Sequence, residues 1–489
     1  MVFYTYVAMD DTDSREGGCT TYLLTRALEI CRDSGYSIHF IPGLVRLNPN
    51  IPYKTRGNGA VVFCVSRGNT GGLDTFTSGA IGEDLVVSTY SYEKCEEFLD
   101  DNDRSLFQKF KRLVDMESSY GHDGTNPGLV VTCDNFGISH YIRAVREVYP
   151  LEMAFSTLDE KRNTLYHGLG SMRGLVGCIG ALGWCQNYRS MGMDHTYEII
   201  SYRKPEFWGK KRDVEPDIVR SLDPELPGTF NNYDFVNDKP LIYPNTPCPV
   251  LFGVRGNDYR ELSRVRGMLD TEEMERWQIF VSNQGTDDHL VPTPLEEINN
   301  YGSVITEGTV QESSFTIKGG HVFLKVADGA NSVYAAAFEP TKNFRNIVRA
   351  LYPGDRVRLY GGVKGDEKEA DAPSKGMRPA LADGFVKVIN LEKLEILQKT
   401  TKLTKISNPI CPGCKTMMKS IGKGVGYRCR KCHIRSDEEG ASYHVFHRVL
   451  VEGKTYEVDG VAMRHLSKPL VRIGKENGKK LSEIDFFNN

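Results

Sequence analysis

The sequence predicts a multidomain protein in which an α/β region and an α+β region precede a small β-barrel and a metal-binding module. Three observations support this. The chain has 489 residues, more than one hydrophobic core normally holds. Strand and helix patterns alternate over about the first 195 residues, and two Cys-x2-Cys pairs stand near the C-terminus.

The composition places the chain among globular proteins. Apolar residues make up 40 % of the chain and charged residues 26 %, both ordinary values. No stretch approaches the roughly 18 consecutive apolar residues of a membrane helix. The N-terminus lacks the basic segment of a secretory signal. We therefore expect a cytoplasmic protein.

Charge is distributed unevenly along the chain. The net charge is −3, but residues 401–489 contain 17 Lys and Arg against 9 Asp and Glu, a balance of +8. The first 400 residues therefore carry −11. A basic tail on an acidic body suggests that the tail meets a polyanion, although a solvated basic surface would give the same count.

The first 195 residues are predicted to form an α/β domain. Strands are indicated at "FYTYVAM", "NGAVVFCVS" and "NPGLVVTCD", with a helix at "TTYLLTRALEICRDSG" that Gly35 ends and a polar helix over 90–117. Glycines recur about every third residue in "GLGSMRGLVGCIGALGW". That spacing permits a helix packed very close to a neighbouring element or a ligand.

Residues 196–305 and 306–398 differ in pattern. The first region mixes strands such as "TYEIISYR" with a helix near 260–275 and long polar loops, which predicts an α+β domain. The second has about five short alternating strands and resembles the OB-fold, a Greek-key barrel that binds oligonucleotides. Phe323, Tyr334 and Phe338 are candidate base-stacking residues on that barrel, and core aromatics are the alternative.

Residues 399–489 contain the metal-binding module. The run "CPGCKTMMKSIGKGVGYRCRKC" offers two thiolate pairs joined by a hairpin, which predicts a structural zinc site. A disulfide is the weaker alternative. The predicted ligands are Cys411, Cys414, Cys429 and Cys432. The candidate RNA-binding cations around them are Lys415, Lys419, Lys423, Arg428, Arg430, Lys431 and Arg435.

Three aspartates crowd the end of the first strand. Asp10, Asp11 and Asp13 would repel one another unless a cation lay among them, and hard oxygen ligands near a helix N-terminus suit Mg²⁺ with a nucleotide phosphate. The helix opens with Thr20 and Thr21. The alternative is a turn that caps the helix.

A basic glycine turn follows in "IPYKTRGNGAVV". Lys54 and Arg56 stand beside Gly57, Asn58 and Gly59, and cations with open backbone amides suit phosphates. An ordinary Asn-Gly hairpin with exposed charges is the alternative. Together with the acidic strand end, the turn indicates nucleotide chemistry and an ATP site.

Long segments of the chain resemble one family. They are, in order, "MDDTDSREGGCTT", "VRLNPNIPYKTRGNGAV", "TNPGLVV", "RGLVGCIGALG", "TYEIISYR", "PCPVLFGVRG" and "SNQGTDDHL", followed by the OB-like region and the zinc module. The sequence is similar to the archaeal tRNA(Ile) 2-agmatinylcytidine synthetase (TiaS) family over nearly its whole length. The stretch "RHLSKPLVR" also looks family-like, without a role that we can assign.

The resemblance implies an activity. The family uses ATP to join agmatine to C2 of the wobble cytidine of an isoleucine tRNA with a CAU anticodon, through a phosphorylated cytidine, so that the product decodes AUA. Residues 1–195 would be an atypical kinase domain that also phosphorylates Thr20. Residues 196–305 would be ferredoxin-like, and the OB and ribbon regions would bind tRNA. Gly18 departs from the larger residue expected before the cysteine.

The polar loops of the second region are the predicted agmatine site. Agmatine carries two cationic groups, so acids and acceptors should surround it. The candidates are Asp234, Asn283, Gln284, Thr286, Asp287 and Asp288, with surface turns as the alternative and "GHDGTNPG" around Asp123 as the next place to search.

Two other functions remain open from the residues. The first is a nucleic-acid-binding factor without catalysis, but three carboxylates beside a threonine pair would serve no purpose in it. The second is an RNA ligase or nucleotidyltransferase, but no nucleophilic-lysine motif is evident.

Overall fold

A ten-stranded sheet joins the two N-terminal regions that the sequence predicts as separate domains. The computed structural model describes residues 4–54, 57–67, 75–81, 83–88, 99–122, 124–364, 387–422, 424–437 and 441–484. The strands of the sheet are β1 (Thr5–Asp10), β2 (Ser37–Arg46), β3 (Gly59–Ser66), β4 (Thr75–Ile81), β5 (Glu83–Ser88), β6 (Gly128–Thr132), β7 (Thr164–Gly168), β8 (Thr196–Arg203), β11 (Val250–Gly256) and β12 (Met274–Ser282). Within the described residues their order is β11-β8-β12-β4-β5-β2-β3-β1-β6-β7.

The two halves of this sheet are joined through β12. It pairs antiparallel with β8 and β4, and its end pairs parallel with β2, with Val281 opposite Gly43. The helices that accompany the sheet are α1 (Thr20–Asp33), α2 (Asp101–Glu117), α3 (Ile138–Arg146), α4 (Leu151–Asp159), α5 (Gly174–Cys185), α6 (Pro216–Glu225) and α7 (Tyr259–Val265). A short hairpin, β9 (Tyr233–Asp234) and β10 (Lys239–Pro240), lies outside the sheet. One hydrophobic core therefore spans both halves.

Most predicted elements are present, and their ends have local causes. Helix α1 stops before Gly35, which has φ +77°. Helix α2 begins at Asp101 because Asp100 and Asp103 form a capping box there; residues 89–98 lie outside the described part. The helix predicted over 260–275 ends already at Val265, because Gly267 and a turn follow before β12 begins.

A closed five-stranded barrel confirms the OB-fold prediction. The strands are β14 (Ser303–Val310), β16 (Val322–Asp328), β17 (Asn331–Ala337), β18 (Arg356–Lys364) and β19 (Val388–Gln398), with β13 (Leu290–Pro292) and β15 (Phe315–Thr316) at the margins. The ring runs β14-β16-β17-β19-β18 and is closed by the pairing of β18 with β14, and β17 and β19 are parallel. Helix α8 (Phe344–Arg349) lies between β17 and β18 in the chain. Strands β13 and β14 of this sheet begin before residue 306. The barrel therefore starts earlier in the chain than the boundary that the sequence predicts between residues 305 and 306.

Three small strands form the ribbon: β21 (Lys419–Ser420), β22 (Tyr427–Arg428) and β23 (Arg435–Ser436). Two antiparallel strands connect the ribbon to the rest of the chain, namely β20 (Lys402–Ser407) before it and β24 (Ser442–Phe446) after it. The chain then adds β25 (Thr455–Glu457) to the barrel beside β19. The ribbon is therefore inserted between two strands that belong to the barrel.

Residues 458–484, here named the C-terminal segment, return to the N-terminal sheet. The Val461 N–H donates to Asp234 Oδ2 at 3.1 Å, and Arg472 forms a bidentate pair with Asp194 at 2.6 and 2.8 Å. Lys468 also contacts Asp194, at 2.9 Å. The basic tail that the charge counts predicted therefore lies only partly on the surface, because its residues Lys468 and Arg472 are buried ion-pair partners. None of the helices in the described residues has the length and apolar character needed to cross a bilayer.

Candidate active-site cavity

The end of β1 opens into a cavity of about 330 Å³, here named the central cavity. It lies between β1, α1 and α5 on one side and β8 and β11 on the other. Asp10, Asp11, Asp13, Thr20 and Thr21 line it, as the sequence predicts for a nucleotide site. Its volume falls at the lower end of the range typical of small-molecule sites.

Helix α5 leaves room for the acidic group because of its glycines. A Cβ on Gly177 would stand 1.8 Å from Asp10 Oδ2. A Cβ on Gly174 would meet Asp10 O at 2.8 Å and the Gly128 backbone at 2.4 Å. The glycine-rich helix therefore packs directly against β1 and β6, and only glycine permits that distance.

Burial makes the carboxyl groups of Asp10 and Asp11 hard to ionise. Burial, and then Asp13, raise the pKa of Asp10 to about 7, and burial, and then Asp10, raise the pKa of Asp11 to about 8. Asp11 has φ +53° and accepts the Asn126 N–H at 2.8 Å. Two crowded carboxyls of this kind favour a bound cation.

The aspartates do not form a complete ligand set by themselves. Among the described residues, the four cysteines of the ribbon are the group of three or more His, Cys, Asp or Glu side chains whose ligand atoms lie within 4.8 Å of one another. The three aspartates do not meet that condition. This arrangement still fits Mg²⁺, because that ion commonly takes one or two carboxylates and completes its shell with waters and substrate phosphates.

Thr20 lies at the first position of α1 beside the acidic group. The Thr20 hydroxyl accepts a hydrogen bond from the Thr12 hydroxyl at 3.1 Å. Thr20 is mostly buried and lines the central cavity. Gly18, which departs from the family pattern, has φ +73°, and a Cβ there would stand 2.4 Å from Ser119 Oγ. A larger residue at position 18 would therefore require Ser119 to move.

The predicted basic turn also lines the central cavity. Lys54, Gly57, Asn58 and Gly59 all border the cavity, whereas Arg56 lies outside the described residues. Asn58 donates to Asn48 O at 2.9 Å and so holds its loop. Lys54 contacts Pro49 O. Burial, and then Arg464 and Lys364, lower the pKa of Lys54 to about 8.

Several cavity residues escaped sequence reasoning. They are Arg46, Tyr53, Arg173, Glu198, Arg255 and His465. Arg46 and Arg255 are charged residues within strand patterns, which was the available signal. His465 stands in "RHLSKPLVR", the stretch that resembled the family without an assigned role. Only the return of the C-terminal segment brings it to the cavity.

The predicted agmatine residues do not line the cavity. Asp234 accepts the N–H groups of Val236, Asn237 and Val461, and Asp287 pairs with Lys393 at 2.5 Å. Asn283 bonds the β2 backbone at Arg46.

Gln284 and Asp288 also have protein partners. Gln284 donates to Glu198 Oε2 at 2.5 Å and so contacts a residue that does line the cavity. Asp288 accepts from the Tyr141 hydroxyl at 2.6 Å, and Thr286 donates to Asn283 O. The alternative around Asp123 falls on a residue outside the described part. The agmatine assignment stays a prediction.

The ribbon brings its four cysteines together as predicted. The ligand atoms of Cys411, Cys414, Cys429 and Cys432 all lie within 4.8 Å of one another, and the Cys414 and Cys429 sulfurs are 3.4 Å apart. Backbone N–H groups, that of Cys432 first, lower the pKa of Cys429 to about 6. This geometry fits a tetrahedral zinc ion with no open position.

The candidate RNA contacts have mixed outcomes. The ribbon cations Lys415, Lys419, Arg428, Arg430 and Lys431 are exposed, as is Arg435, and Lys423 lies outside the described residues. The prediction that Phe323 stacks on a base is wrong for this structure, because the ring is 3 % exposed and stacked on Phe315. Phe315, which the sequence did not single out, is the outer ring, while Tyr334 and Phe338 are half-buried.

An α/β body with a cavity lined by acidic and basic side chains, an OB-fold barrel and a zinc ribbon define a multidomain protein of the nucleic-acid-handling class. Three family models match the chain: the TiaS TCKD domain over residues 6–168, the TiaS FLD domain over 172–289 and the TiaS C-terminal zinc ribbon domain over 408–448. The chain belongs to the TiaS family.

Relatives match over nearly the full length. The isoleucine-tRNA 2-agmatinylcytidine synthetase TiaS of Archaeoglobus fulgidus is 37 % identical, over 96 % of this chain and 98 % of the relative. That of Methanocaldococcus jannaschii is 35 % identical, over 95 % and 98 %. The solved complex of TiaS with its isoleucine tRNA and ATP gives a TM-score of 0.76 at 34 % identity, and the complex with the tRNA, AMPCPP and agmatine gives 0.73 at 31 %. Each covers 96 % of this chain and 97 % of the solved one.

Proposed function

We infer that this chain joins agmatine to the wobble cytidine of an isoleucine tRNA with consumption of ATP. The observation that carries this inference is the match over nearly the whole chain to relatives named for that synthesis. Solved relatives hold their isoleucine tRNA with ATP, and with AMPCPP and agmatine. The central cavity, lined by acidic and basic side chains, supplies a place for the chemistry. Because the substrate is a tRNA, we place the enzyme in the cytoplasm.

We propose that ATP occupies the central cavity. Lys54 and the turn at Gly57, Asn58 and Gly59 would contact its phosphates, together with Arg56. Asp10, Asp11 and Asp13 would hold Mg²⁺, which supplies charge neutralisation on the transferred phosphoryl group. The raised pKa values of Asp10 and Asp11 support a cation at this place, since a cation would let both carboxyls ionise.

The proposed reaction has two steps. The C2 oxygen of the cytidine first accepts a phosphoryl group from ATP, which converts a poor leaving group into a good one. The primary amine of agmatine then attacks C2, loses a proton, and phosphate departs with the former C2 oxygen. The product would decode AUA.

Thr20 is the proposed site of phosphorylation within the protein itself. Its hydroxyl lines the cavity and stands beside the acidic group at the start of α1. A phosphate at that position would meet the first N–H groups of the helix. Thr21 also lines the cavity, but its hydroxyl contacts Cys19 Sγ at 3.0 Å.

The four predicted regions have proposed roles. Residues 1–195 would carry the kinase chemistry and 196–305 would be the ferredoxin-like region; their strands share one sheet. Residues 306–398 and the ribbon within 399–489 would bind tRNA. A non-catalytic binding factor is not favoured, because such a protein has no use for a cavity lined by both acidic and basic side chains.

Mass spectrometry of the tRNA tests the proposed function directly. The purified chain is incubated with isoleucine tRNA bearing a CAU anticodon, ATP and agmatine, and nucleosides from the digested tRNA are weighed. We expect one cytidine to gain the mass of agmatine less one water. Omission of ATP, and the variant Asp11→Asn, are the controls that should give no product. An unmodified cytidine with the wild-type chain would exclude the proposed function.

A further inference from the structure

Four cationic or hydrogen-bonding side chains form one wall of the central cavity, here named the basic lobe. Arg46 is the last residue of β2, Arg255 lies near the end of β11, and Lys54 belongs to the loop between β2 and β3. His465 comes from the C-terminal segment. Elements far apart in the sequence therefore supply a single wall.

The half-buried cations of the basic lobe have few carboxylates beside them. In the described part of the chain, its nearest ion-pair contact is a long one, 4.0 Å between Arg46 Nη2 and Glu198 Oε2. Arg255 and Lys54 have no carboxylate within 4.0 Å among those residues. Elsewhere the same molecule pairs its buried arginines closely: Arg203 with Glu272 at 2.6 Å and Arg472 with Asp194 at 2.6 Å.

Arg46 also has an unsatisfied hydrogen-bond donor. Its Nε is buried and has no hydrogen-bond partner among the described residues, although most buried polar atoms in proteins have one. Its Nη1 lies against the glycine turn, 3.3 Å from where a Cβ on Gly57 would stand. Burial lowers the pKa of Arg46, and although Glu198 opposes this shift, Arg255 adds to it. An acceptor in the cavity would satisfy this guanidinium.

The tautomer of His465 follows from its neighbour. Its Nδ1 lies 2.9 Å from Arg255 Nη2, and because an arginine can only donate, Nδ1 must accept. The imidazole is therefore neutral with its proton on Nε2. That nitrogen stands 3.5 Å from where a Cβ on Gly57 would be. Arg46, and then burial, lower the pKa of His465 far below its usual range. His465 is thus a fixed N–H donor at the cavity wall.

We propose that Arg46, Lys54, Arg255 and His465 form a phosphate-binding subsite, to which the C-terminal segment contributes His465. Two arginines, a lysine and a neutral N–H donor match the several oxygens of a phosphate group. The identity of the phosphate rests on the proposed function: it belongs either to ATP or to the backbone of the RNA. The same chemistry binds both.

Binding of inorganic tripolyphosphate to the full chain tests the subsite without tRNA or agmatine. By calorimetry, Arg255→Met and His465→Leu should weaken binding tenfold or more. His465→Gln should stay within about threefold of wild type, because its amide can accept from Arg255 and still donate. Lys475→Ala, which removes an exposed cation from the same segment, should bind as wild type does.

Thermal unfolding without ligand separates a binding role from a structural one. Since the cations of the basic lobe repel one another, Arg255→Met should leave the unfolding midpoint unchanged or raise it. A lower midpoint together with unchanged tripolyphosphate affinity would overturn the proposal. Wild-type protein that fails to bind tripolyphosphate and ATP alike would do the same.

Two further titrations identify the source of the phosphate. If it belongs to the nucleotide, Arg255→Met weakens ATP binding in the absence of tRNA. If it belongs to the RNA, the variant weakens tRNA binding in the absence of ATP. Normal affinity for both ligands contradicts the subsite. These binding measurements do not depend on agmatine transfer, so their failure is distinguishable from failure of the proposed function.

Discussion

At the scale of single residues, three carboxyl groups lie close together in the central cavity at the end of β1. Asp10 and Asp11 are adjacent, largely buried and close to Asp13, so their carboxyls hold protons to about pH 7 and 8. The unfolded chain releases those protons near pH 4. Folding without a cation therefore becomes less favourable as the pH rises.

Replacing Asp11 by asparagine should stabilise the unliganded protein at high pH. Because the folded pKa is raised above the unfolded value, the free energy of unfolding of the wild type falls between about pH 4 and pH 8, and Asp11→Asn removes that loss. Asparagine also tolerates the positive φ of this position. We expect the free energy of unfolding of the variant at pH 8 to exceed that of the wild type by roughly 2 kcal/mol or more, measured by denaturant unfolding, with a small difference at pH 5.

The matched control is Asp328→Asn, which changes an exposed carboxyl on the barrel. Its unfolding midpoint should follow that of the wild type at both pH values. The same Asp11→Asn protein should no longer turn over ATP. A variant that is less stable than wild type at pH 8 would contradict the electrostatic account of this site.

At the scale of elements, helix α5 shows why its glycines recur. It crosses β1 and β6 at a distance that excludes side chains, and Gly177 faces the carboxylate of Asp10. The sequence pattern predicted a close approach but could not say whether a ligand or a strand was the neighbour. Here the neighbours are the backbone of β6 and a proposed metal ligand.

Gly177→Ala should therefore impair activity. The added methyl group would overlap Asp10 Oδ2, so the carboxylate must turn away or the helix must move. We expect at least a tenfold loss of ATP turnover and a lower unfolding midpoint, measured side by side. Gly137→Ala is the control, since a Cβ there meets only Ser139 Oγ at 3.6 Å. Normal turnover in Gly177→Ala would show that the position of Asp10 is not critical.

The ribbon should depend on its metal for folding and should be dispensable for the cavity. Its buried apolar cluster is small, namely Cys411, Met418, Tyr427 and Cys429, so metal binding must supply most of its stability. In Cys429→Ser, we expect loss of about one zinc per chain by elemental analysis and weaker tRNA binding. ATP binding should be unchanged, and a parallel loss of ATP affinity would refute the separation of the two sites.

At the scale of the whole molecule, the C-terminal segment fastens the barrel and ribbon to the N-terminal body. Asp194 is the centre of this contact, with Arg472 and Lys468 both buried against it. Burial alone would raise the pKa of Asp194, but Arg472 and Lys468 lower it overall. The stabilisation is therefore complete above about pH 4 and is lost as the pH falls through the lowered native value.

Removing Arg472 should release this segment. Arg472→Met leaves Asp194 buried with one partner fewer, a change that costs about 3–5 kcal/mol in comparable buried pairs. We expect faster proteolysis within residues 458–484. We also expect weaker tripolyphosphate binding, because the segment that carries His465 is no longer held against the N-terminal body. Arg349→Met, at an exposed position on α8, should change neither. Unchanged proteolysis in Arg472→Met would show that other contacts hold the segment.

The sequence by itself determined the elements and motifs whose causes are local. Asp10, Asp11 and Asp13 at a strand end, the helix opening at Thr20, the alternating barrel strands and the cysteine spacing are all written in short stretches of chain. The structure then brings Lys54 and the Gly57–Gly59 turn to the same cavity as the aspartates. That these acidic and basic groups share one site was therefore predictable from the sequence.

Tertiary structure alone decided the remainder of the site. Arg46, Glu198, Arg255 and His465 meet because β12 joins two halves of one sheet and because the C-terminal segment returns across it. No local pattern encodes such pairings, since they depend on contacts between residues hundreds of positions apart. For the same reason the sequence could not show that the polar loops around Asp234 and Asp287, which suggested a ligand, also bond to distant segments of the chain, or that Phe315 covers Phe323.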